Sequence, residues 1–142
     1  MSDPNPIEGT RRYVDELLGS GMGSRHVRFL ERIENPGLRE HVHRFHAVEA
    51  DTRLLSVEEN YLIGVCVLCS RGQLATAAMF AKLLRRLGTP PERILEAVAR
   101  LAIWSGGLSA VDASFAIQKA LREYDKDPEA ALLPWFPEDP AP

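Results

Sequence analysis

The chain has 142 residues, 45% of them hydrophobic and 26% charged, with 17 Lys and Arg against 20 Asp and Glu for a net charge of −3. These values suit one globular domain with its own core. They exclude a disordered chain, and they supply no overall positive field that would hold nucleic acid or an anionic membrane surface.

No apolar run approaches the roughly 20 residues needed to span a bilayer. The start, Met1 to Pro6, is polar and lacks the charged-then-apolar layout of a secretory leader, so the expected location is cytoplasmic. Two cysteines are too few for a disulfide framework.

Strand signals are almost absent and helix punctuation is abundant. A first helical stretch is expected over 8–20, with Tyr13, Leu17 and Leu18 apolar. Ser24 can cap a second, carrying Val27, Phe29, Leu30 and Ile33. Asn35-Pro36-Gly37 stops it, because a residue before proline disfavours helix. A third runs from about 38 to 51. A fourth begins at Ser56, with Glu59 closing a capping box. Residues 73–87 form a fifth. Thr89-Pro90-Pro91-Glu92 starts a sixth that ends near Trp104, and Ser109 caps a seventh that ends near Tyr124. From Asp125 the proline-rich chain reads as a tail. The expectation is all-α, one domain over 1–126 with six or seven helices, and a tail over 127–142. Trp135 and Phe136 in that tail are costly to leave in water and are expected to dock on the body or on a neighbouring subunit. The stretch 61–69 is apolar nearly all round, which predicts burial in a core or between subunits, and hence a homo-oligomer.

Three segments carry a family resemblance: Leu55-Ser-Val-Glu-Glu-Asn-Tyr-Leu-Ile-Gly-Val65, Leu83-Leu-Arg-Arg-Leu-Gly-Thr-Pro-Pro-Glu-Arg-Ile-Leu-Glu-Ala97 and Ala102-Ile-Trp-Ser-Gly-Gly107. Over 55–121 the chain resembles the carboxymuconolactone decarboxylase and AhpD-like alkylhydroperoxidase family. The resemblance implies an AhpD-like helical fold and assembly as trimers or hexamers. It also implies one of two chemistries. One is thiol peroxidase or disulfide reductase activity through Glu-x11-Cys-x2-Cys-x3-His. The other is opening or decarboxylation of a lactone acid without a cofactor. In the family register Tyr61 stands at the glutamate, Gln73 and Thr76 at the two cysteines, and Phe80 at the histidine. Neither chemistry carries over residue by residue.

Cys66-Val-Leu-Cys69 lies earlier than that redox position, inside an apolar helix. Reactive thiols need a nearby cation or a helix N-terminus, which Val65, Val67 and Leu68 do not provide, so a structural role is the first expectation. A thiol-based peroxidase using Cys66 and Cys69 is the alternative.

The segment Leu38-Arg-Glu-His-Val-His-Arg-Phe-His-Ala-Val-Glu-Ala50 is the most informative. At about 100° per residue, Leu38, Val42 and Phe45 share one face with Val48 at its edge. Glu49 falls in the middle of that face, His41 and His46 flank it, and His43 points towards solvent. His46 and Glu49 are one helical turn apart and can meet as an acid–base pair. The plainer alternative leaves Glu49 exposed beside Arg53. His41, His43 and His46 cannot converge from one helix, and Glu40-x-x-His43 has no second copy, so no metal is expected.

Tyr61 can donate a hydrogen bond to a developing oxyanion. Gln73, Thr76, Phe80 and Trp104 are the candidate pocket residues. The alternatives are an exposed helix start for Gln73, a half-buried surface position for Thr76 and a core position for Trp104. Lys82, Arg85 and Arg86 read as a solvated helix face near a C-terminus. The expected function is a cofactor-free enzyme acting by acid–base chemistry on a small organic acid, lactone or carbonyl compound. In it Glu49, His46 and His41 move protons, and Tyr61 and Gln73 orient oxygen atoms. A non-catalytic binding or structural protein is the further alternative.

Overall fold

A computed structural model of the chain describes residues 5–50 and 54–138. It is all-α: the described residues form eight helices and no strand. They are α1 (Pro6–Leu18), α2 (Met22–Glu31), α3 (Pro36–Ala50), α4 (Val57–Ser70), α5 (Leu74–Arg86), α6 (Pro91–Ser105), α7 (Gly107–Lys126) and α8 (Pro128–Leu132). The count exceeds the expected six or seven because the chain does not become a tail at Asp125. Asp127 accepts a hydrogen bond from Ala130 N at 3.1 Å and starts one more short helix, which buries Ala131 and Leu132.

The helices fall into two compact units. Among the described residues the first comprises 5–50, 54–57 and 133–138, and the second is Glu58–Leu132.

In the first unit α1 packs against both α2 and α3. Asn5 caps α1 by accepting from the Ile7 and Glu8 amides, and Pro6 fits the first helical position, where no N–H is needed. α2 starts two residues before the expected Ser24, at Met22. Its first turn is satisfied from outside, by Asp15 Oδ1 accepting from Gly23 N at 2.9 Å. Gly23 is required there, since a Cβ would overlap the Arg11 carbonyl. Asn35-Pro36 both separates α2 from α3 and opens α3: Asn35 Oδ1 accepts from Leu38 N at 3.0 Å. Tyr13, Val14, Leu18, Met22, Val27, Leu30 and Phe136 are buried.

In the second unit α7 is the central element, packed by α5, α6 and α8. Its interior is aliphatic, with Val65, Ala77, Leu84, Ile94, Val98, Ala113 and Ile117 essentially out of water. Within Thr89-Pro90-Pro91-Glu92, Pro90 takes the cap position of α6, and Thr89 before it is buried. Gly106, rather than Ser109, precedes the first turn of α7. The basic cluster expected as a solvated face is paired instead. Lys82 meets Glu123 at 2.8 Å, Arg85 meets Asp125 at 2.8 Å, and Arg86 meets Glu129 at 3.1 Å.

Candidate functional site

α3 is turned the opposite way from the expected orientation. Its apolar stripe faces out, with Leu38 and Phe45 about half exposed and Val48 at 70%. Its polar stripe faces in. His43, expected in solvent, is 2% exposed. The inward residues His43, His46 and Glu49 recur at helical spacing, so one face presents them together. The interior of the first unit supplies the reason. His43 Nδ1 lies 2.9 Å from Thr10 Oγ1, and that hydroxyl also donates to the Pro6 carbonyl at 3.0 Å. A buried imidazole is tolerated where such partners exist.

The expected pair is formed. His46 Nδ1 and Glu49 Oε2 are 2.7 Å apart, and only 13% and 11% of the two side chains is exposed. The plainer alternative of an exposed Glu49 therefore fails; Arg53, its suggested neighbour, lies outside the described residues. His41 is on the exposed side of α3 and is not brought to the pair.

A third group joins the pair without any sequence expectation. His26 of α2 brings its Nε2 to 3.1 Å from His46 Nε2, making an unbroken line Glu49···His46···His26. A carboxylate beside Nδ1 fixes a proton there and aims Nε2 at its next partner. His26 packs edge-on to His46 and lies beside Phe29 and Phe136, while Tyr13 stands beside His46. Burial first, and the neighbouring His46 second, push the His26 imidazole down to about 4, with the Trp135 backbone opposing. His26 is therefore neutral near pH 7. Burial likewise pushes the His43 imidazole below its usual range, helped by His46 and Arg39. The signal that could have found His26 is its position on the buried side of α2 with Met22 and Leu30, one turn away on either side.

The candidate residues of the second unit divide. Tyr61 is buried and meets Phe80 edge-to-face at 5.0 Å, and a Cβ on Gly64 would press the Phe80 ring at 3.0 Å. Two aromatic rings thus fill the positions that the resemblance gives to glutamate and histidine. Gln73 is an exposed residue preceding α5, as its alternative reading had it, and Thr76 is half-buried. Trp104 is neither core nor grouped with these residues, being 83% exposed at the end of α6.

Cys66 is half-buried and Cys69 buried, and both are free thiols. Burial pushes the Cys66 thiol up, and burial together with Cys66 pushes Cys69 up to about 11. A nucleophilic cysteine needs the opposite shift. Among the described residues no group of three or more His, Cys, Asp or Glu is placed to hold a metal ion. Among them, too, no helix is long and apolar enough to cross a membrane.

Comparison with family models, curated proteins and solved structures gives no match to this chain.

Proposed function

We propose that the protein is an acid–base enzyme that needs no cofactor and acts on a small organic acid, lactone or related carbonyl compound. The observation that carries this reading is the continuous line Glu49···His46···His26 at 2.7 and 3.1 Å. Glu49 orients His46 and supports its charged form. His46 and His26 share a proton between their Nε2 atoms. A base of this kind takes a proton from carbon next to a carbonyl and returns it after the bond change, with no net redox demand. Family resemblance over 55–121 supports the substrate class.

The test is solvent deuterium exchange into a panel of small lactones and keto acids, followed by mass spectrometry. Wild type should exchange at least one of them. Glu49→Gln and His46→Ala should slow that exchange by roughly 100-fold or more, the usual scale of a lost general base. Exchange by Glu49→Gln at the wild-type rate would contradict the proposal. Tyr61→Phe adds a second arm: its loss of rate would bring Tyr61 into the reaction as the oxygen-orienting group.

A second reading, a non-catalytic assembly protein, has an observation of its own. Leu108 at 85% exposure, Trp104, Ile103, Phe115 and Val111 leave an apolar surface on α6 and α7, and Ile63 and Val67 do so on α4. Such surfaces commonly mark protein contacts. They support a homo-oligomer, a trimer or hexamer by resemblance, in which catalysis and assembly coexist. Light scattering on the eluting peak checks this; a stable monomer would contradict it.

A further inference from the structure

The line of acid–base groups ends at His26, and what lies over His26 is the chain's own C-terminal segment. His26 Nε2 is engaged by His46. Its other nitrogen, Nδ1, is buried, and the group that bears on it is the main chain of Trp135 in that same segment. Against the same ring lies Phe136, at 5.2 Å between centroids and itself 2% exposed. Trp135 lies beside Phe29 at 5.0 Å.

The segment that carries these two rings, residues 133–138, is not helical. It is fastened to α2 through its own main chain. Arg25 Nε donates to the Phe136 carbonyl at 2.6 Å, and Arg28 donates to the Pro137 carbonyl at 3.3 Å. It holds two aromatic plugs and two arginine clasps, with no ladder of backbone bonds to break. Lifting it would break these side-chain contacts and no helical hydrogen bonds, which makes it a candidate for local opening as a unit.

We propose that residues 133–138 are a lid over the outer nitrogen of His26, and that a reactant reaches the acid–base line from the side Phe136 occupies. Closed, the lid keeps water from Nδ1; lifted, it presents that nitrogen as the group that exchanges a proton with the reactant. This inference rests on the acid–base reading for its purpose, but its test needs no turnover.

The probe is diethyl pyrocarbonate, which acylates neutral imidazole, applied to the full chain near pH 7 and read peptide by peptide. His41, exposed, and His43, buried in the same unit against Thr10, serve as internal references. In wild type His26 should label far more slowly than His41. Phe136→Ala and, separately, Arg28→Gln should raise His26 labelling by roughly tenfold, with His43 unchanged. Arg28→Gln keeps both rings and so decides the matter if Phe136→Ala does not fold. Wild-type His26 labelling as fast as His41 would overturn the lid. So would unchanged His26 labelling in Arg28→Gln, or a parallel rise at His43. Should the deuterium-exchange assay fail while this pattern holds, the catalytic reading falls and the lid remains.

Discussion

The two units bury different things. The second fills its interior with Val65, Leu84, Ile94, Val98 and Ile117, residues whose removal from water is favourable at every position. The first places Thr10, His26 and His43 in its interior, with His46 and Glu49 beside them at its rim. Burying imidazoles and a carboxylate gives stability away unless each finds a partner. The contrast separates a largely aliphatic interior, in the second unit, from one that holds imidazoles and a carboxylate, in the first.

The largest effect that should sharpen this contrast is Leu84→Ala. It removes a fully buried side chain and should cost ~2–5 kcal/mol in urea or thermal unfolding. In the first unit, replacing the Thr10–His43 pair together by Val and Leu should change stability by no more than ~1 kcal/mol, since both polar partners leave at once. A loss as large as that of Leu84→Ala would mean that the polar interior is the stabilising one.

Acidification comes next. The His26 imidazole sits near 4 when folded and near 6.5 when unfolded. Between these values the unfolded chain binds more protons, so stability falls as pH drops from 6.5 towards 4 and is not lowered further by this group below that. The loss should be up to ~3 kcal/mol, and His26→Phe should flatten it. Denaturant unfolding at several pH values measures both. A smaller effect is expected from Gly64→Ala, whose new Cβ meets a ring that can give way, at ~1 kcal/mol. The smallest belongs to Arg85→Gln. Its partner Asp125 is half exposed, so the loss should stay below ~1 kcal/mol and shrink further in high salt.

Much of the helical layout is legible in the sequence because proline, glycine and capping residues punctuate the chain. Most of the expected stretches differ from the observed helices by only a few residues at their ends. The His46–Glu49 pair is legible from spacing alone. The orientation of α3 is not. Its apolar stripe, Leu38, Phe45 and Val48, invokes the rule that apolar faces turn inward. Partners available at Thr10 and His26, far off in sequence, outweigh that rule. His26 is hidden for the same reason, because nothing local pairs α2 with α3. Trp135 and Phe136 dock as their apolar surfaces require. α8 is harder to see, because Pro128 suits the end of one helix as well as the first position of the next.

Whether His26, His46 and Glu49 form one proton-sharing line is tested most directly by a nitrogen-15 NMR titration of the four imidazoles in the full chain. His26 is predicted to stay neutral until about pH 4, while its Nε2 signal shifts in His46→Ala, which removes the partner at 3.1 Å. A His26 that titrates near 6.5, independently of His46, would contradict it.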